Sequence, residues 1–383
     1  MMEKEKIEVV QFCEKWGSGG LEAFVMNVYR NINNDEIKFK ILLSQNKGNG
    51  YDKEIEMLGG SKKVLLSNKT KSPMIRVIRN YIKFYKEIKR NNYKIIHFNA
   101  CNASVMICVF IAKIAGVPIR IVHSHNTDIG KKHKLIKTIY HKICKNIFGK
   151  TGTLYYACSV NAANWLFTPK IVENKVEIIK NGIDVTKFIF NEDNRKKVRS
   201  ELGIENKFVL GHVGRFGVQK NHSFLIDIFY EVYKKNKESV LLLIGVGELE
   251  EEIKNKVKLL GIESQVFFLG LKSNIPQYLH AMDAFVFPSL FEGLGIVAIE
   301  AQAAALKIFA SDVVPQEANI TEYFNYISLE KSATEWAEKI LKCKEGYIRR
   351  NCSQEIKENG YDIKKVAKEM ENIYINEYNK INK

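Results

Sequence analysis

Short apolar runs rich in Val, Ile, Leu and Phe recur along this chain, each followed by an amphipathic stretch, and that alternation admits few folds. The runs cover residues 7–12, 37–43, 63–66, 95–98, 119–123, 154–158 and 176–179, then 208–213, 240–244, 266–269, 284–288, 308–310 and 326–329. A strand that is apolar at nearly every position is buried on both faces, which is the parallel α/β arrangement. The 383 residues exceed what one core of about 150 residues holds, so two domains are expected. The two series of strands meet at Asn181-Gly182-Ile183-Asp184, a turn signal that places the junction between domains 1–183 and 184–362. Two doubly wound, Rossmann-like parallel sheets facing a central cleft would bind ligands in the loops beyond the carboxyl ends of their strands.

Charge divides at the same point. The chain carries 59 Lys and Arg against 43 Asp and Glu, a net +16. Residues 1–183 hold 31 basic and 14 acidic side chains and the remainder 28 and 29, so the excess belongs to the first half. Such asymmetry asks for an anionic partner on one domain. Lys outnumbers Arg 49 to 10 and no nucleic-acid-binding motif is present, which argues against nucleic acid as that partner.

The seven cysteines contain no C-x-x-C pair, and most sit in apolar runs, the pattern of buried reduced thiols in the cytosol. The opening MMEKEKIEVVQF mixes acids with bases and runs into a strand pattern, so no secretory signal is expected. The most apolar long stretch, 105–122, is broken by Lys113, Gly116, Pro118 and Arg120 and reads as helix, turn and strand rather than a membrane span.

Three strand ends carry candidate chemistry. Gly17-Ser18-Gly19-Gly20 precedes a helix pattern, and its free N–H groups suit either a phosphate or a plain tight turn. Run 208–213 leads into Gly214-Arg215, with Lys220-Asn221 close behind, and two cations beyond a strand end can neutralise a diphosphate. Run 284–288 leads into Glu292-Gly293-Leu294-Gly295 and a helix carrying Glu300 among Ala, Ile and Val. Glu292 is expected before that helix and Glu300 about two turns inside it, which excludes a close carboxylate dyad. One carboxylate can then hold sugar hydroxyls while the amides of 293–295 and the helix dipole hold phosphate.

Taken in order, the Gly-Gly turn, His123-Ser124-His125, Asn181-Gly182-Ile183-Asp184, Gly214-Arg215 with Lys220-Asn221, Gly245-Val246-Gly247-Glu248-Leu249 and Glu292-x7-Glu300 resemble the retaining family-4 glycosyltransferases of GT-B fold, above all the bacterial ones that build exopolysaccharide or capsule. The likeness runs over essentially the whole chain. It implies that Gly19 and Gly20 neighbour the donor phosphates, that Arg215 and Lys220 are the diphosphate cations, that Glu292 contacts the donor sugar and that Glu300 contacts the ribose. It also implies that Gly245 lies in the loop shaping the nucleotide pocket, that Gly270 and Asn274 lie near the base, and that the active-site histidine is His125, with His123 second. The last helix, from 363 onward, would cross back to complete the first domain. Where the family usually has Gly and Pro after the Glu-x7-Glu helix, this chain has Ala304-Ala305-Leu306, which leaves that helix stop without its easiest residue.

The resemblance implies a retaining transfer from a nucleotide-sugar, preferentially a UDP-sugar, to a polyprenyl diphosphate-linked glycan. No cofactor is expected. No Asp-x-Asp pair occurs, and no Cys or carboxylate stands beside His-x-His in the sequence, so no metal site is expected and protein cations take the diphosphate charge. In the basic half, stretches 71–90 and 131–150 read as cationic amphipathic helices with their apolar faces packed inward and their cations offered to anionic headgroups, placing the protein in the cytoplasm on the inner membrane face. A nucleotide-sugar epimerase of the same fold is the nearest rival reading, and a nucleic-acid-binding protein a distant one.

Overall fold

The computed structural model describes residues 6–17, 19–46, 51–66, 73–127 and 134–382. The first five residues, Ser18 of the glycine turn, and residues 71–72 and 131–133 at the starts of the cationic stretches lie outside the described residues. The chain divides into two compact units, Met1–Gly182 with Ile363–Lys383, and Ile183–Asp362.

The first unit is built on a seven-stranded sheet in the order β3-β2-β1-β4-β5-β6-β7. Its strands are β1 (Ile7–Trp16), β2 (Ile37–Asn46), β3 (Ser61–Val64), β4 (Ile95–Ala100), β5 (Ile119–Ser124), β6 (Leu154–Ala157) and β7 (Val176–Ile178). The second unit has β8 (Phe208–Val213), β9 (Ser239–Ile244), β10 (Val266–Phe268), β11 (Ala284–Phe287), β12 (Lys307–Ser311) and β13 (Phe324–Ile327), in the order β10-β9-β8-β11-β12-β13. Every strand pair is parallel. All thirteen expected strands exist. β3 and β13 begin two residues earlier than the apolar runs suggest, because pairing to β2 and β12 sets their ends.

Every residue of β4 and of β9 is buried, as strands covered by helices on both faces must be. In the first unit one face packs under the helices Gly20–Asn31 and Ile363–Ile381, with Phe24, Met26, Met370 and Tyr374 in the core. Asn181-Gly182 is where the chain leaves this unit, beside the point where it returns. A Cβ on Gly182 would stand 2.8 Å from the Ile363 Cα, so only glycine allows that approach. In the second unit Trp336, Phe229 and Leu241 centre the core.

Two helices depart from expectation. The helix after Glu292 is Ile296–Ala303, so Glu300 stands little more than one turn inside it, because Gly295 in the left-handed region (φ 82°, ψ 58°) delays its start. Its stop is made by Ala305 at φ 50°, a left-handed position taken by an alanine where glycine would be less strained.

The cationic helices Pro73–Asn91 and Lys134–Phe148 flank the helix Val105–Ile114. Their apolar side chains do not all turn inward. Ile75, Ile78 and Ile82 are about half exposed (48%, 53% and 50%), and Leu135, Ile136, Ile139, Ile143 and Ile147 are exposed as well. The second of these helices instead buries His141 and Cys144, so its aliphatic stripe is left facing outward beside exposed Lys137 and Lys142. Six of the seven cysteines are buried free thiols, and Cys101 is exposed.

Candidate active site

The strand order reverses between β8 and β11, and the loops beyond these two strands meet there. The Leu290 amide donates to the Gln219 carbonyl at 2.8 Å. Lys220 Nζ donates to Glu292 Oε1 at 2.7 Å, and Gln219 Nε2 to Glu292 Oε2 at 3.1 Å. The Glu292 side chain is buried at 5% exposure, while Lys220 at 16% lies over the Phe287 ring, 4.5 Å from its centroid. A buried carboxylate is tolerated because both its oxygens are bonded.

The β9 loop closes against the β8 loop. Gly245 has φ 139°, and a Cβ there would meet the Gly214 carbonyl oxygen at 2.1 Å; one on Gly247 would meet the Phe216 oxygen at 2.3 Å. The Gly245 amide donates to the Gly270 carbonyl at 2.9 Å, which draws the β10 loop into the same group. Gly270 itself is left-handed (φ 65°). Asn274 is exposed at the start of the helix Ile275–Ala281 and hydrogen-bonds Gln277.

Arg215 is exposed and ion-paired to Glu248 at 2.7 Å. Glu300 is partly buried, and desolvation pushes its carboxyl up to about 7 against the pull of Lys220. Leu294, flanked in sequence by the two glycines, is 3% exposed. Thus Arg215, Lys220, Gly245, Gly270, Glu292, Gly293, Leu294, Gly295 and Glu300 all stand on the loops or helix starts beyond the carboxyl ends of this sheet, with Asn274 at their edge.

Sequence reasoning missed the layer beneath. His212 and His222 are buried, with rings 4.8 Å apart; His212 Nδ1 donates to the Val286 carbonyl at 2.8 Å, and His222 stacks on Phe216 at 4.2 Å. Burial holds His212 well below the usual imidazole range and His222 at about 4. A Cβ on Gly214 would meet His212 Nε2 at 2.9 Å and Lys220 Cγ at 3.0 Å, so the neutral imidazole and the lysine stem shape one wall. A histidine inside an apolar strand run gives no pattern by which this could be foreseen.

In the first unit the order reverses between β1 and β4. Gly17 and Gly19 follow β1, and their amides donate to the Glu22 carboxylate at 2.7 and 3.0 Å, so the chain's own carboxylate takes both donors here. Gly20 starts the helix whose Phe24 ring lies 5.0 Å from both His123 and His125. His125 follows β5, with Nε2 3.1 Å from Asn99 Oδ1. Burial pushes His125 down to about 3 and holds His123 well below the usual imidazole range, so both are neutral imidazoles.

Comparison with known proteins agrees with the fold of two parallel sheets. Residues 18–187 match the family described as Glycosyltransferase Family 4, and residues 194–362 match Glycosyl transferases group 1. EpsF of Bacillus subtilis, which bears the name of a glycosyltransferase, is 29% identical over 97% of both chains. The Staphylococcus aureus capsular polysaccharide biosynthesis glycosyltransferase CapH is 26% identical over 96% of this chain and 99% of its own. The fold matches crystal structures of Anabaena HepE with UDP and glucose (TM-score 0.77, 18% identity, 95% of this chain and 98% of that one) and of WaaG, a glycosyltransferase involved in lipopolysaccharide biosynthesis (TM-score 0.72, 15% identity, 96% and 99%). With one family match on each parallel-sheet unit and glycosyltransferases matching nearly end to end, this chain belongs to the family-4 glycosyltransferases of GT-B fold.

Proposed function

We propose that the protein transfers a sugar, with retention, from a UDP-sugar to a polyprenyl diphosphate-linked glycan in bacterial exopolysaccharide or capsule synthesis. The observation that carries this reading is the buried Glu292 bonded by Lys220 and Gln219 at the strand-order reversal, with Arg215 exposed on the same β8 loop as Lys220. Relatives support the substrate classes. An Escherichia coli protein 26% identical over 79% of this chain is named as transferring Gal from UDP-Gal to GlcNAc-diphosphoundecaprenol, and HepE has been crystallised with UDP-glucose.

In this reading Arg215 and Lys220 take the charge that builds on the diphosphate as the bond from sugar C1 to phosphate oxygen breaks. Glu292 holds sugar hydroxyls, Glu300 the ribose hydroxyls, and Gly245, Gly270 and Asn274 border the nucleotide. The acceptor hydroxyl attacks C1 on the face the phosphate leaves, and its proton passes to a phosphate oxygen, so no covalent enzyme intermediate forms. On the first unit, His125, Gly19 and Gly20 are the residues this reading assigns to transfer. Two protein cations on the diphosphate make metal unnecessary, so turnover should survive chelation by EDTA.

The acceptor is lipid-linked, and the exposed aliphatic stripes of Pro73–Asn91 and Lys134–Phe148, set among lysines and arginines, support docking on the anionic inner face of the membrane. Among the described residues no helix is long and apolar enough to cross a membrane. Flotation with vesicles tests this: anionic vesicles should carry the protein at low salt, and Ile139→Ser with Ile143→Ser should release it. Equal flotation with neutral vesicles would remove the electrostatic part.

A thermal-shift screen of UDP-, GDP- and ADP-sugars tests the donor, since a ligand that binds only the folded state raises Tm. Product analysis tests the reaction. Free UDP with a lengthened lipid-linked glycan is expected, and a second nucleotide-sugar without acceptor would establish the epimerase instead.

A further inference from the structure

Five polar side chains form an unbroken chain through the interior of the first unit. His125 Nε2 lies 3.1 Å from Asn99 Oδ1, Asn99 Nδ2 2.9 Å from Gln11 Oε1, Gln11 Nε2 3.0 Å from the Tyr374 hydroxyl, and that hydroxyl 2.7 Å from His97 Nδ1. Strand register brings them together: Gln11 pairs with His97 across β1 and β4, and Asn99 with His123 across β4 and β5. Tyr374 comes from the C-terminal helix Ile363–Ile381 and is 1% exposed.

The chain has a direction. Asn99 Nδ2 also lies 3.4 Å from the His97 carbonyl oxygen, so turning the amide over would set oxygen against oxygen there. That contact is long, and Gln11 at 2.9 Å holds the Asn99 amide more firmly, accepting from it and donating to Tyr374. The tyrosine has a single proton, and having accepted from Gln11 it gives that proton to His97 Nδ1. At the other end Asn99 Oδ1 can only accept, which places the His125 proton on Nε2 and leaves Nδ1 bare; among the described residues Nδ1 has no hydrogen-bond partner. The His125 ring is held between Phe24 at 5.0 Å and His123 at 4.2 Å.

We propose that Tyr374 is a positioning residue for His125, acting through Gln11 and Asn99 to keep its proton on Nε2 and its ring in one orientation beyond β5. The proposal rests on His125 being part of the active site. It gives the returning C-terminal helix a role beyond packing: a hydroxyl some 250 residues along the chain selects the tautomer of a site histidine. Both terminal imidazoles, pushed down to about 3 by burial, stay neutral, which a tautomer-selecting chain requires.

The test uses the full chain with 15N-labelled histidine. Wild type should show His125 in the Nε2-protonated pattern by long-range 1H–15N correlation. In Tyr374→Phe, Gln11 loses its acceptor and its amide is released to turn over, so an Nδ1-protonated population of His125 should appear, with kcat reduced roughly tenfold and the donor KM within about twofold. Asn99→Leu, which cuts the link beside His125, should give the same spectroscopic change should Tyr374→Phe prove poorly folded. His125→Ala separates the two readings. If it abolishes turnover while Tyr374→Phe and Asn99→Leu keep the wild-type tautomer and kcat, the positioning role is overturned and the site stands. Wild-type turnover in His125→Ala would overturn both.

Discussion

Lys220 Nζ and Glu292 Oε1 stand 2.7 Å apart across the point where the second sheet reverses its strand order, and they join the β8 loop to the β11 loop. The two partners differ in what they lose when separated. Lys220→Ala takes the cation from a buried carboxylate that Gln219 also bonds, whereas Glu292→Ala leaves a lysine that still reaches water and the Phe287 ring. Lys220→Ala should therefore destabilise by about 3 kcal/mol and Glu292→Ala by less, since uncompensated buried charge is the larger penalty. Urea unfolding measures this. Transfer should fall at least 100-fold in Glu292→Ala, and wild-type turnover there would end the assignment of Glu292 to the donor sugar.

Glu300 sets a pH dependence for donor binding. With its carboxyl raised to about 7, the ligand-free protein holds that proton below pH 7, whereas bonds from two ribose hydroxyls need the ionised, acceptor-only form. Donor binding should release a proton at pH 6, and the donor KM should rise about tenfold per unit as pH falls below 7. Glu300→Gln should flatten the profile. Calorimetry in buffers of different ionisation enthalpy counts the proton.

The buried histidines set the acid limit of stability. His97 is fully buried and held at about 3, against 6.5 in the unfolded chain, so unfolding takes up a proton between those values and stability is lost as pH falls from about 6.5 toward 3. At pH 5 this amounts to about 2 kcal/mol for His97 alone. Denaturation midpoints at pH 7.5 and 5.0 check the slope, which His97→Gln should reduce.

Glycine 245 is confined by its neighbours and glycine 203 only by its backbone. At φ 139° an alanine at 245 would thrust its methyl to 2.1 Å from the Gly214 oxygen, whereas position 203 (φ 65°) has open space around it. Gly245→Ala should cost about 2–4 kcal/mol and abolish the thermal shift given by the nucleotide, while Gly203→Ala should cost about 1 kcal/mol and leave that shift intact.

Much of this was readable from the residues. Apolar runs buried on both faces reveal their strands directly, because a parallel sheet has no solvent face to interrupt the pattern. Beyond those strands Gly214-Arg215, Lys220 and Glu292-Gly293-Leu294-Gly295 stand out because loops carry few apolar residues to mask them. The start of the helix Ile296–Ala303 was misjudged by about a turn, since a left-handed Gly295 ends one conformation without any change in composition.

Sequence alone determined the two parallel sheets, the strand-end loops and the concentration of positive charge in the first half. Only tertiary structure decided which partner each polar group takes: Glu22 on the amides of Gly17 and Gly19, Glu248 on Arg215, and Tyr374 joined to His97 and, through Gln11 and Asn99, to His125. It also turned the aliphatic stripe of Lys134–Phe148 outward. Periodicity reports that a helix has an apolar face, but a hydrogen bond between residues far apart in the chain, or the choice of which face meets the core, depends on contacts that exist only once the strands have paired.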